Sequence, residues 1–204
     1  MDILIATHNP KKRDELRKIL KDFEDINIKN FSDIRTTPPN IVEDGKTFRQ
    51  NAVKKAVTTS KFFNGLVLAD DSGLEVEALG GKPGVRSARF ARKNATDVEN
   101  NDKLLKLMEK VPQEERKARF VCHIALAAGG VLLGTFEGEI SGAIREKPRG
   151  KSGFGYDPLF LPDGYNKTFA EMPAAKKNAI SHRALALEKV RKEITKYAKM
   201  GRSS

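Results

Sequence analysis

The sequence is poor in cysteine, histidine and aromatic residues, and each shortage removes a class of protein. A single cysteine, Cys122, excludes an internal disulfide framework and fits a reducing cytoplasm. It sits in the apolar run from Phe120 to Ala128, where it reads as core filler. Three histidines and that one cysteine show no zinc-like spacing, so a zinc site is not expected. Tryptophan is missing and aromatics make up only 7%, few for a protein that stacks bases along an open groove. No apolar run approaches the roughly 18 residues of a membrane span. Ile3 to Ala6, behind the acidic Asp2, is too short for a signal peptide.

What the chain does carry is charge. Lysine and arginine number 38 against 27 aspartates and glutamates, a net +11. That excess favours anionic partners without naming them: nucleic acid, a phosphorylated metabolite and mere solubility are all admissible. With 39% hydrophobic residues, 204 residues suffice for one soluble domain, assigned to 1–200 with a short tail at 201–204. No repeat, low-complexity tract or linker divides it.

Asp2 to Ala6 reads as a short buried strand. Leu16, Ile19, Leu20 and Phe23 then recur at helical spacing, so the sequence predicts a helix from Pro10 to Phe23, with Asn9 as N-cap and Pro10 at its first position. A second helix starts at Thr47, where Thr47 and Gln50 have capping-box spacing, and runs towards Phe62. Leu66 to Ala69 is a buried strand that ends in Asp70-Asp71-Ser72-Gly73. A third helix follows the Thr96/Glu99 capping box and buries Leu104, Leu105 and Met108. Arg119 to Ala128 and Val131 to Ile140 are two strands joined by a Gly129-Gly130 turn. A last helix begins at Ser181 and runs to about Lys199, with Leu187, Val190, Ile194 and Tyr197 inward. Strands alternating with helices, then an antiparallel pair, indicate an α/β fold with a mixed sheet.

The chemistry gathers at strand ends and helix starts. The first strand leads into Thr7-His8-Asn9-Pro10-Lys11-Lys12-Arg13, which puts three basic residues in the first turn of a helix. A helix N-terminus already carries partial positive charge, so this is unfavourable unless an anion binds there. The plain alternative is solvated lysines on a basic protein. The last helix repeats the oddity, with Lys176 and Lys177 ahead of Ser181 and His182 and Arg183 in its first turn. Asp70 and Asp71 are neighbours on a strand and must point to opposite sides, one for chemistry and one for the scaffold. Glu43, ahead of Gly45, adds a carboxylate. A few hard oxygen ligands suit Mg²⁺, which shares its shell with water and substrate phosphates. Gly150-Lys151-Ser152 imitates the end of a phosphate-binding P-loop, but Arg145 stands where that motif needs glycine and no helix pattern follows. Glycines flanking Phe154 and Tyr156 suit either a loop that lays an aromatic ring against a flat ligand or two core aromatics at a tight turn.

Taken together, these segments resemble the inosine triphosphate pyrophosphatase family, also called XTP/dITP diphosphatases. The matching blocks are Thr7 to Lys12, Glu43 to Phe48, Asp70 to Leu74, Gly80 to Arg89, Phe154 to Pro158 and Ala179 to Arg183, in the family's order across nearly the whole chain. The resemblance implies an elongated mixed sheet flanked by helices, two lobes with a central active-site cleft, and a cytoplasmic homodimer. It implies hydrolysis of ITP, dITP and XTP between the α- and β-phosphates, giving a monophosphate and pyrophosphate. By motif position Asp71 is the proton acceptor, and Asp71 and Glu43 are the Mg²⁺ carboxylates. Thr7, His8, Asn9, Pro10, Lys11, Lys12 and Ser72 would hold the triphosphate. Phe154, Gly155, Tyr156, Asp157, Lys177, His182 and Arg183 would enclose base and sugar. His8 is a departure, since many relatives have glycine there. Arg86, Arg89 and Arg92 form a basic cluster, of which Arg89 or Arg86 would position the base or the dimer.

Selectivity would rest on the 6-oxo group, an acceptor that Lys177, His182 or Arg183 can address and that adenine lacks; sites requiring a specific hydrogen bond discriminate by ~10⁴ or more. Two other readings compete. One is a pyrophosphatase for modified pyrimidine nucleotides or m⁷GTP. The other is a nucleic-acid-binding protein using the +11 charge, which calls for a continuous basic stripe and exposed aromatics. Cations clustered at helix starts suit a pocket better than a groove. The substrates expected are therefore small nucleoside triphosphates, with neither nucleic acid nor membrane required.

Overall fold

The computed structural model describes residues 1–21, 26–34 and 40–200. Its elements run β1 (Asp2–Ile5), α1 (Pro10–Leu20), β2 (Asn27–Lys29), α2 (Phe48–Ser60), β3 (Leu66–Val76), α3 (Asp97–Leu107), β4 (Lys117–Ala128), β5 (Val131–Ile144), β6 (Phe160–Pro162), α4 (Ala174–Ile180) and α5 (His182–Met200). The six strands form one sheet in the order β2-β1-β3-β4-β5-β6. β1 runs parallel to β2 and to β3, as connections through α1 and α2 require. β4 and β5 are joined by Gly129 and Gly130, both at positive φ (55° and 84°), the backbone a two-residue hairpin turn demands. β5 pairs antiparallel with β6. The result is a mixed α/β sheet flanked by helices, as the element order indicates.

The residues group into two compact units. One comprises Met1–Asp71, Cys122–Gly138 and the chain from Arg183 onward. β1 and the first half of β3 are buried on both faces, which explains their continuous apolar runs. Ile3, Ile5, Leu66 and Leu68 face Leu16 and Leu20 of α1 and Leu187, Val190 and Ile194 of α5, with Cys122 and Ile124 in the same layer. Leu4, Ala6, Val67 and Ala69 point the other way, onto Ala52 and Ala56 of α2. Small side chains on both partners let α2 lie close to the sheet.

The second unit comprises Ser72–Val121 and Glu139–His182. Its core collects Leu74, Val76, Leu104, Met108, Ile144 and Tyr156 around a cluster of phenylalanines. The Phe120 ring lies 4.7 Å from Phe160 and 5.9 Å from Phe169.

The caps are close to expectation. Asn9 Oδ1 accepts from the N–H groups of Lys11 and Lys12, with Pro10 at the first helical position. Thr96 and Glu99 form a complete capping box. Thr47 accepts from Gln50 N–H, but the Gln50 side chain accepts from Lys46 N–H rather than closing the box on Thr47. Other features differ from expectation. α1 ends at Leu20, and Phe23 lies outside the described residues, as does the tail at 201–204. β3 does not stop at Ala69 but continues to Val76, because Leu74 and Val76 carry the buried alternation past the polar residues. Tyr197 is exposed, since the inward stripe of α5 closes with Ile194. Two three-residue strands, β2 and β6, and the seven-residue α4 carry no strong periodicity and were not expected. Among the described residues no helix is long and apolar enough to cross a membrane.

Candidate active site

In the first unit, functional side chains converge from α1, the segment before α2, α2 itself, β3 and the start of α5. β3 carries Asp70 and Asp71 pointing to opposite sides, and their surroundings divide them sharply. Asp70 Oδ2 lies 3.2 Å from Lys12 Nζ and 3.6 Å from Arg183 Nε, with its side chain fully buried. Burial alone would raise its carboxyl; Lys12, Arg183 and Lys55 overcome that and hold it well below the ordinary carboxylate range. Asp71 goes the other way. Burial pushes it up, the charge of Glu43 adds to the rise, and Lys12, Lys55 and the Asn51 amide only partly oppose it. Two adjacent carboxyls driven apart in acidity can take different roles, the one ionic and structural, the other able to accept a proton.

Around them lies a set of partners that motif reading missed. Asn51 Nδ2 donates to Asp71 Oδ2 at 2.8 Å, and Asn51 Oδ1 accepts from Gly45 N–H at 2.8 Å. Lys55 Nζ donates to Glu43 Oε1 and to the Asp70 carbonyl, both at 2.6 Å. Arg183 donates to Glu15 Oε2 at 2.6 Å, a buried pair between α5 and α1. The one sequence signal for Asn51 and Lys55 was available: they sit four residues apart beside the buried stripe Phe48, Ala52, Ala56 and Thr59 of α2. Glu15–Arg183 spans 168 positions, and nothing local marks it.

The turn before α1 is a correction to the phosphate-at-helix-start expectation. The N–H groups of Lys11 and Lys12 are taken by Asn9 Oδ1, Arg13 N–H by the Asn9 carbonyl, and Asn9 N–H by Thr7 Oγ1. Pro10 has no N–H. These backbone donors are therefore engaged within the turn itself, and the charge it offers is that of the lysine side chains. Lys11 is exposed while Lys12 is half-buried against Asp70. The exposed His8 stacks on Phe31 with ring centroids 4.6 Å apart.

Four carboxylates in this unit, Glu15, Glu43, Asp70 and Asp71, face the three cations Lys12, Lys55 and Arg183. Four carboxylates against three cations leave one negative charge over, which suits a divalent cation. Among the described residues no group of three or more Asp, Glu, His or Cys side chains could hold a metal. Glu43 and Asp71 fit a hard cation that completes its shell with water and phosphate. Ser72 follows Asp71 on β3 and is half-buried.

The second unit gathers the remaining expected residues. Asp157 Oδ2 accepts from Phe154 N–H at 2.8 Å and from Lys177 Nζ at 2.7 Å, and Lys177 lies over the Phe154 ring, 4.8 Å from its centroid. Gly155 takes φ +61°, and its carbonyl accepts from Asn101 Nδ2 at 3.0 Å. Phe154 is half-buried, so part of its ring is open to a ligand. Tyr156 is not: its ring is core, its hydroxyl donates to the Ser87 carbonyl at 2.9 Å, and burial raises the phenol far above its usual value. Its side chain therefore serves the fold, and the core-aromatic alternative holds for it. His182 is buried and stacks on Phe120, centroids 4.9 Å apart and planes within 9°. Lys177 belongs to α4, not to the approach to α5. The arginine cluster separates: Arg86 and Arg89 are exposed on a 3₁₀ turn, Gly84–Arg89, while Arg92 is engaged by Glu99 at 2.6 Å.

An α/β chain whose central strand bears two carboxyls of opposed acidity among lysines and arginines is built for phosphate chemistry. The chain belongs to the Ham1 family, which it matches over residues 3–193. It is 48% identical over 191 residues to the dITP/XTP pyrophosphatase of Desulforamulus reducens, covering 93% of each chain. The dITP/XTP pyrophosphatase of Bacillus subtilis is 44% identical, over 94% of this chain and 96% of the other. Among solved structures, a HAM1 protein from Coxiella burnetii superposes with a TM-score of 0.85 at 40% identity, covering 96% of this chain and 99% of its own. The Staphylococcus aureus Ham1 protein gives 0.85 at 36% identity, covering 97% and 100%.

Proposed function

We propose that this chain is a nucleoside-triphosphate pyrophosphatase that hydrolyses the non-standard purine nucleotides ITP, dITP and XTP at the α–β bond, with Mg²⁺ held by Glu43 and Asp71. The dITP/XTP pyrophosphatase relatives support the reaction and the substrate class. The observation that carries the site assignment is the division on β3: Asp70 faces Lys12 and Arg183 at 3.2 and 3.6 Å, while Asp71 accepts from the neutral Asn51 amide at 2.8 Å. When bound, Mg²⁺ supplies charge neutralisation on the phosphates and a more acidic water.

The protein's own residues do the rest. Asp71, raised by burial, accepts the proton of the attacking water. Lys12 meets the growing negative charge on the leaving pyrophosphate, kept in place by Asp70. Phe154 offers a face for the base, and Lys177, neutralised by Asp157, donates to an acceptor such as the 6-oxo group. Adenine presents a donor there and cannot accept from the ammonium. Arg183 and His182 complete the base and sugar contacts. The enzyme works as a homodimer in the cytoplasm.

The test is product identity. The protein and Mg²⁺ are incubated with ITP, XTP, GTP and ATP, and the phosphorus products are resolved by ³¹P NMR. Pyrophosphate from ITP and XTP, with little from GTP or ATP, is expected. Orthophosphate as the sole product would mean that a different bond is cut.

A further inference from the structure

Asn51 is an uncharged residue that touches both sides of the carboxylate centre. It stands in the second turn of α2 and is 1% exposed. Its Nδ2 donates to Asp71 Oδ2 at 2.8 Å, while its Oδ1 accepts from Gly45 N–H at 2.8 Å, two residues beyond Glu43. We infer that Asn51 is a positioning residue whose amide sets the spacing between Asp71 and the loop that carries Glu43.

Three observations carry this. The amide is used at both ends, so its orientation is fixed by its partners and it cannot rotate without losing both. The fit on the loop side is tight: a Cβ on Gly45 would stand 2.6 Å from Asn51 Oδ1 and 2.9 Å from Gln50 Cβ. And α2 itself is held down, since Ala52 and Ala56 on the adjoining positions pack directly on Leu4, Val67 and Ala69 of the sheet. One turn further along, Lys55 binds Glu43 and the Asp70 carbonyl at 2.6 Å each. One helix therefore aims a neutral donor at one carboxylate and a cation at the other, from positions four apart that share a face. Mg²⁺ demands near-ideal octahedral geometry, which two carboxylates from distant segments meet only if something fixes their separation.

This role rests on the reading of Glu43 and Asp71 as the metal carboxylates, and the experiment separates the two. Mn²⁺ alone is titrated into the full-length protein and free ion is read by electron paramagnetic resonance, for wild type, Asn51→Leu, Gly45→Ala, Glu43→Gln and Asp71→Asn. Melting temperature is recorded for each, and steady-state kinetics with ITP are measured at saturating Mg²⁺. Loss of partners behind metal ligands typically weakens affinity about 10–100-fold. Asn51→Leu and Gly45→Ala are each expected to weaken Mn²⁺ binding at least tenfold, with KM for ITP nearly unchanged. Gly45→Ala removes no polar group and decides the matter if Asn51→Leu fails to fold. A loss smaller than tenfold in the folded variants overturns the positioning role. If Glu43→Gln and Asp71→Asn also leave Mn²⁺ binding intact, the metal reading itself falls.

Discussion

Replacing Asp70 with asparagine tests the division of labour on β3 without touching the proton acceptor. The Asp70 side chain is fully buried and faces Lys12 at 3.2 Å and Arg183 at 3.6 Å. Breaking a buried ion pair by removing one partner generally destabilises by about 3–5 kcal/mol. Here the lower end applies, because Arg183 keeps Glu15 at 2.6 Å and Lys12, 16% exposed, can reach water. With a urea m-value of roughly 2–3 kcal/mol/M, a loss of about 3 kcal/mol moves the unfolding midpoint down by about 1–1.5 M at neutral pH. The pH dependence supplies a second check. Asp70 is held below its ordinary value in the folded state, so its contribution is fully present above about pH 4 and is lost as pH falls towards the folded value. The gap between wild type and Asp70→Asn should therefore hold at pH 5 and shrink as pH falls from about 4 towards 2. Urea unfolding followed by circular dichroism at several pH values measures both. A midpoint shift below about 0.3 M at neutral pH, equivalent to less than about 1 kcal/mol, would refute the reasoning, as would a gap independent of pH.

Three further outcomes follow from the same geometry. Asp71→Asn should lower kcat by several orders of magnitude with a much smaller change in ITP affinity, measured by single-turnover kinetics and calorimetry; near-normal turnover would reassign the proton acceptor. Lys177→Ala should raise KM for ITP and narrow the ITP/ATP preference. It should also lower the melting temperature, because the Asp157 side chain is left buried without its ammonium, a loss of about 3 kcal/mol; an unchanged preference would remove Lys177 from base recognition. Tyr156→Phe should cost about 1–2 kcal/mol in stability by leaving the Ser87 carbonyl without its donor, while kcat/KM for ITP stays near wild type. A large activity loss without destabilisation would return the Tyr156 hydroxyl to the ligand.

The parts of the molecule that were legible in the sequence are those where local chemistry decides. Asn9 before Pro10, Thr96 before Glu99 and Gly129-Gly130 between apolar runs each specify a cap or a turn within four residues. The parts that were not legible depend on distance along the chain. β2 and β6 are three residues each and gain their identity from a neighbouring strand. Asp70 and Asp71 could be assigned to opposite sides, but which was ionic depended on Lys12 from α1 and Arg183 from α5. The triplet of basic residues at α1 pointed to phosphate, yet Asn9 caps the very donors that argument used. Asn51 and Lys55 acquire their roles from partners that lie 20 and 12 positions away.

The lone cysteine acquires a use from its place in the fold. Cys122 lies at 0% exposure among Ile3, Leu68 and Leu187, and burial, with the charge of Asp70 adding, raises its thiol far above the usual value. The thiolate is the reactive form, so the native protein presents almost nothing to an alkylating or disulfide reagent. Labelling then proceeds through openings of this layer of the core, and each molecule that reacts reports one such event. With no second thiol in the chain, no intramolecular exchange confuses the signal. The rate of modification thus serves as an internal clock for core opening, read by mass, and ligands or substitutions that steady the carboxylate centre should slow it.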